Sequence, residues 1–403
     1  MKKEDWDFKG ENTKEYTHGF HTYPAMMIPQ IARKLIKLYG KNAKTLLDPF
    51  CGSGTSLVEA SLNPKIKEVY GFDLNPLAIL IAKVKTTKLR PSKLKEALNF
   101  IFDNVGTAET FWTSNLNYWF KPEVVEKLEM LKAGINKIKD KKIRNFFRVI
   151  FSETIRKVSN TRNSEFKLYR MPEHKLKEFN PKVIEEFDKI ALKSIRGMED
   201  YVKKKQDTKI ITKICNGVEK LPLKDGSVDI IVTSPPYGDS RTTVAYGQFS
   251  RLGLQGLGFE DVNGLDNELL GGIASKELNI KIKSHTLKKI IKKIAKKDNK
   301  RAKEVLSFYE DFDKCVINLN RVMAKRGFVC FVVGNRTVKG INIPTDKIMI
   351  EMFKEKGKYK HIKTYCRTIP NKRMPKVTSP TNIKGKTSPT ISKESIFILQ
   401  KKS

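Results

Sequence analysis

Apolar positions along the chain fall into two alternating patterns. Short β-type runs occur at 44–47, 68–72, 209–214, 228–233, 328–333, 361–366 and 395–400, each of strand length. Between most of them the apolar residues return every three or four positions, which predicts helices over 28–39, 56–63, 76–84, 306–323 and 345–356. Strands separated by helices are the pattern of an α/β fold built on a mostly parallel sheet.

Two stretches break the alternation. Residues 91–207 are mostly helical in pattern, with aromatics at Phe111-Trp112 and Tyr118-Trp119-Phe120, and predict an inserted helical unit. Residues 238–303 open glycine-rich and close in a lysine-dense helix. There Leu287, Ile290, Ile291, Ile294 and Ala295 make one apolar face and lysine fills nearly all the rest. A face of that kind is either solvated or laid against a polyanion.

Composition narrows the function classes. At 403 residues the chain exceeds the usual length of about 100–200 residues for one domain, so a core with an inserted or appended unit is expected. No apolar run approaches the roughly 18 residues of a membrane span, and Met1-Lys2-Lys3-Glu4-Asp5-Trp6 lacks the apolar stretch of a signal peptide. A soluble, cytoplasmic protein without membrane partners is the expectation. Lys and Arg outnumber Asp and Glu by 79 to 44, a net +35, which favours a polyanionic partner. The five cysteines (Cys51, Cys215, Cys315, Cys330, Cys366) are far apart and form no C-x-x-C pair, so neither a disulfide framework nor a zinc or other metal site is expected.

Asp48-Pro49-Phe50-Cys51-Gly52-Ser53-Gly54-Thr55 follows one β-run and precedes a helical segment. Glycines at a strand-to-helix turn let the backbone approach a ligand closely. The next β-run ends in Gly71-Phe72-Asp73-Leu74-Asn75-Pro76, where the acid can accept hydrogen bonds from both hydroxyls of a ribose. Ser234-Pro235-Pro236-Tyr237 follows the apolar run at 228–233. Successive prolines remove two N–H donors and stiffen the turn, leaving the Ser234 and Pro235 carbonyls and the Ser234 hydroxyl to accept from an amino group. Tyr237 can stack on a base.

These motifs resemble those of the amino-methyltransferase family that forms N4-methylcytosine and N6-methyladenine in DNA. Phe50-x-Gly52-x-Gly54 is similar to its cofactor motif, and Ser234-Pro235-Pro236-Tyr237 to its catalytic motif in the serine form usual for cytosine N4 enzymes. His21-Thr22-Tyr23-Pro24-Ala25-Met26-Met27-Ile28-Pro29 resembles the segment beside the methionine end of the cofactor. Val332-Val333-Gly334-Asn335 and Ile369-Pro370-Asn371-Lys372-Arg373-Met374-Pro375 look familiar from the same family.

The resemblance implies a Rossmann-like class I methyltransferase sheet of about seven strands with a mostly helical insertion. Its halves would be residues 1–90 and 208–403, the latter with a basic insertion at about 238–303; residues 91–207 would be the helical insertion and a candidate DNA-recognition unit. It further implies S-adenosylmethionine as cofactor, held by Tyr23, Pro24, Asp48, Phe50, Gly52, Gly54, Thr55 and Asp73. The loop Cys215-Asn216-Gly217-Val218-Glu219 departs from the family pattern, with no acid after its glycine, and Asn216 is taken as the residue meeting the adenine ring.

The implied reaction is direct displacement by an exocyclic amine of a base flipped out of duplex DNA, with cytosine N4 favoured. Cytosine C5 chemistry, which typically needs a cysteine after a proline, is disfavoured because no Pro-Cys occurs. An adenine N6 enzyme, an RNA base methyltransferase and a catalytically dead DNA-binding module stay open alternatives. Candidate DNA contacts are Arg156, Arg162, Arg170, Arg241, Arg251, Lys289 and Lys293, and a cognate restriction endonuclease is a candidate partner.

Overall fold

The computed structural model describes residues 5–105, 110–162, 167–215, 220–239, 243–260, 262–369, 377–378, 388–389 and 391–403. Each of the seven β-runs forms a strand: β1 (Thr45–Asp48), β2 (Glu68–Asp73), β3 (Lys209–Ile214), β4 (Val228–Thr233), β5 (Met323–Gly334), β6 (Tyr359–Thr368) and β7 (Lys393–Lys401). They make one sheet in the order β3-β2-β1-β4-β5-β7-β6. The first five are parallel, and β7 inserts antiparallel between β5 and β6. This is the Rossmann-like methyltransferase sheet. Strand order reverses between β1 and β4, so the crevice beyond their carboxyl ends is where an open α/β sheet binds ligands.

Side chains alternate across the sheet with period two. Ile230, Val232, Cys330, Val332, Ile396 and Ile398 pack with α1 (Pro29–Tyr39), α2 (Thr55–Ser61) and α3 (Pro76–Thr86). Ile231, Val329, Phe331, Val333, Phe397 and Leu399 face the opposite layer. Two of these helices open on proline at the first position, where the missing N–H has no helical partner in any case.

The stretch at 91–207 folds as α4 (Pro91–Asp103), α5 (Pro122–Asn136), α6 (Lys141–Val158) and α7 (Val183–Lys204), with two shorter helices between. Asp140 caps α6 by accepting from the Lys142 and Ile143 amides. These helices share one apolar cluster with α3 and with α8 (Tyr246–Gly256), in which Phe147, Phe151, Phe187, Leu77 and Phe249 are all buried. The opposite face of the sheet carries α9 (His285–Ala295), α10 (Asn299–Val322) and α11 (Thr345–Lys356).

Three features depart from the pattern reading. Gly247, Gly253 and Gly256 belong to the helix α8, because a Cβ at Gly247 would lie 2.8 Å from Asp266 and one at Gly256 2.5 Å from the Phe111 ring. Met323 opens β5 instead of ending α10, and Arg326 at φ +61° makes an irregular start to that strand. A hairpin, Arg336–Val338 with Ile341–Ile343, turns through Lys339 and Gly340, both at positive φ. Among the described residues no helix is long and apolar enough to cross a membrane.

Candidate functional site

The loop after β1 is shaped by its glycines. Gly52 and Gly54 take φ +48° and +81°, and a Cβ on Gly54 would stand 2.9 Å from the Ala82 Cβ of α3. The loop is clipped to β2: the Cys51 amide donates to the Phe72 carbonyl at 2.9 Å and the Gly52 amide to Asp73 Oδ2 at 2.9 Å. Asp73 Oδ1 accepts from the Asn75 amide at 2.9 Å. The carboxyl is half-buried at the cavity edge, and burial pushes it up to about 6 against these backbone donors.

Asp48 joins the two central strands. Its Oδ1 accepts from the Thr233 hydroxyl at 2.5 Å and the Phe50 amide at 3.1 Å, and its Oδ2 from the Ser56 hydroxyl. Burial pushes this carboxyl up to about 6. The bond to Thr233 fixes the glycine loop beside the turn that Thr233 begins. Motifs far apart in the chain thereby meet at the switch between β1 and β4.

One cavity joins them. Tyr23, Pro24, Asp48, Phe50, Gly52, Thr55, Asp73, Ser234 and Pro236 line it, together with Ser53 of the glycine motif and Tyr246, which local pattern does not reveal. The Ser53 hydroxyl is buried with no partner among the described residues, a polar atom available to a ligand in this wall. Gly54 lies outside the lining, against α3. Tyr23 is buried and stacks on Tyr246 with ring centroids 6.0 Å apart. Asn75 donates both to the Tyr23 hydroxyl at 3.0 Å and to Ser250 of α8 at 2.7 Å. Thr22 donates twice to Glu153 of α6, so the helical layer holds this wall.

The tetrapeptide Ser234-Pro235-Pro236-Tyr237 divides its members. Ser234 and Pro236 face the cavity, whereas Pro235 is buried and Tyr237 is outside the lining. The Tyr237 ring packs on Gly334, where a Cβ would come within 2.7 Å, and its hydroxyl donates to Glu394 Oε1 at 2.8 Å. Burial raises that hydroxyl well above its ordinary value.

The basic candidates separate as well. Arg156 is 6% exposed, its guanidinium 4.6 Å above the Phe249 ring, so it sits inside the helical layer and offers DNA no surface in this conformation. Arg162 lies over Tyr169 at 5.9 Å and Arg170 over Tyr118 at 4.9 Å. Arg251 is half-buried on α8. Lys289 and Lys293 are exposed on α9, whose Leu287, Ile291 and Ile294 are buried. Asn216 and Arg241 lie outside the described residues, as do residues 370–376 of the downstream motif.

Comparison with known proteins gives the following. Residues 16–98 match the family described as UPF0020, RMKL-like, methyltransferase domain. The type II methyltransferase M.MvaI of Kocuria varians is 44% identical over 426 aligned residues, covering 98% of this chain and 93% of that protein. The type II methyltransferase M.MjaII of Methanocaldococcus jannaschii is 33% identical over 141 residues, 34% of this chain and 25% of the relative. Among solved structures, the rRNA methyltransferase aviRa of Streptomyces viridochromogenes aligns over 94% of this chain and 86% of its own, with a TM-score of 0.35 and 11% identity.

Proposed function

Because the chain belongs to the type II methyltransferase family of DNA methyltransferases, and its cofactor is S-adenosylmethionine, we propose that it methylates the exocyclic amino nitrogen of a base flipped from duplex DNA, cytosine N4 in particular. The observation that carries the reading is the single cavity shared by the glycine loop, Asp73 and Ser234. The cytosine assignment is supported by the serine heading the Pro-Pro-Tyr motif. Adenine N6 is the rival outcome of the test below.

The residues present fit the cofactor. The Asp73 carboxylate suits ribose hydroxyls, the orphaned Ser53 hydroxyl lies in the same wall, and Tyr23, Pro24 and Phe50 offer apolar surface. When bound, S-adenosylmethionine supplies a methyl group made electrophilic by its sulfonium. An exocyclic amine is a poor nucleophile because its lone pair is delocalised into the ring. In the proposed mechanism the Ser234 hydroxyl, which faces the cavity, accepts a hydrogen bond from the amine, which holds the nitrogen toward tetrahedral geometry and aims its lone pair. The displaced proton leaves to water. A cognate restriction endonuclease is the partner this activity would protect against.

Digestion of methylated duplex DNA to nucleosides, followed by mass spectrometry, tests the assignment. N4-methylcytosine is expected. N6-methyladenine as sole product sinks the cytosine claim, and no methylated base sinks the DNA claim.

A further inference from the structure

Three hydrogen-bonded side chains, with an ion pair at their far end, form a line that ends on Ser234. Arg367 on β6 and Glu394 on β7 are cross-strand partners, and Arg367 Nη1 stands 3.1 Å from Glu394 Oε2, the two side chains only 5% and 14% exposed. Glu394 Oε1 accepts from the Tyr237 hydroxyl at 2.8 Å. The Tyr237 oxygen lies 3.2 Å from Ser234 Oγ, which is also 3.0 Å from the Val332 carbonyl. Glu394 pairs in register with Gly334, the residue whose missing Cβ admits the Tyr237 ring.

Counting protons gives the line a direction. A hydroxyl has one proton and an ionised carboxylate none, so the Tyr237 proton points to Glu394. Toward Ser234 the Tyr237 oxygen then presents only lone pairs. The single proton of Ser234 goes to Val332 or to Tyr237, both inside the protein. The lone pairs of Ser234 Oγ are left for a donor arriving through the cavity, which is the polarity an amine held by its own N–H requires.

We propose that Glu394, steadied by Arg367, is a positioning residue that fixes the Ser234 hydroxyl as an acceptor for the target amine, an inference that rests on the role given to Ser234 above. Glu394→Gln keeps the shape but lets this position donate, which frees the Tyr237 proton to turn onto Ser234 and occupy the lone pair meant for substrate. Single-turnover methylation of duplex DNA is expected to slow about ten-fold, the worth of one good hydrogen bond. Affinities for S-adenosylmethionine and DNA stay at wild-type values.

Tyr237→Phe removes that proton altogether while Ser234 still donates to Val332, so Glu394→Gln made in that background should cost no further rate. The Glu394→Gln/Tyr237→Phe double variant should then recover to the Tyr237→Phe rate, faster than Glu394→Gln alone. A residue that merely props the strands would give additive losses. Equal rates for wild type and Glu394→Gln, or a double variant slower than either single one, overturn the proposal and leave the methyltransferase reading standing. If thermal denaturation shows Glu394→Gln to be unfolded, the double variant compared with Tyr237→Phe carries the test, and a ten-fold difference between those two overturns the proposal. No methylated base from the wild type overturns both.

Discussion

Asp73 is the residue on which cofactor affinity should turn. Asp73→Ala should weaken S-adenosylmethionine binding without unfolding the protein, as calorimetry can measure, because the cavity edge then offers the ribose hydroxyls no charged acceptor. The same carboxyl gives the binding a pH dependence. Pushed up to about 6 by burial, it is ionised at pH 7 and takes up a proton as the pH falls through 6. Affinity should therefore decline from pH 7 to pH 5 in the wild type, and less steeply in Asp73→Asn, where only Asp48 still titrates near 6 in the cavity wall. The stability sign is opposite: the folded pKa exceeds the unfolded one, so the group favours the fold at acid pH and that contribution is lost as pH rises through about 6. Ser234→Ala should leave cofactor affinity unchanged and slow single-turnover methylation by at least about ten-fold, since it removes an interaction assigned to the transition state.

At the scale of elements, α9 presents the clearest electrostatic device. Its apolar side is buried while Lys288, Lys289, Lys292, Lys293, Lys296 and Lys297 are exposed. If it lies along the phosphate backbone, replacing all six by Gln should flatten the dependence of log Kd on log salt by close to one unit for each phosphate no longer neutralised. Fluorescence anisotropy at several salt concentrations reads that slope, and an unaltered slope leaves α9 as solvated surface. Elements such as α9 and β4 are legible in the sequence because one period dominates each. Helix α8 is not, since its glycines oppose helix formation and are rewarded only by close packing against Asp266 and Phe111, which no local window contains. The site divides in the same way. The glycine loop, Asp73 and Ser234 announce themselves by motif, whereas Glu394, Arg367 and Tyr246 are brought in by strand register and helix packing.

Over the whole molecule, the helical layer and the cavity wall share buried side chains and the Thr22–Glu153 and Asn75–Ser250 bonds. Unfolding should accordingly be one cooperative transition, which S-adenosylmethionine at a hundred times its Kd should stabilise by about 2.7 kcal/mol. Calorimetry that resolves two peaks, only one of them moved by ligand, would separate the layer from the sheet. The antiparallel seat of β7 carries a consequence in time. The ribosome makes β7 after every other strand of the sheet, yet β7 must enter between β5 and β6, which are both already made. A nascent chain can hold the glycine loop and Ser234 before Glu394 emerges, so the contact proposed to orient the serine is set only after the rest of the cavity wall has been made.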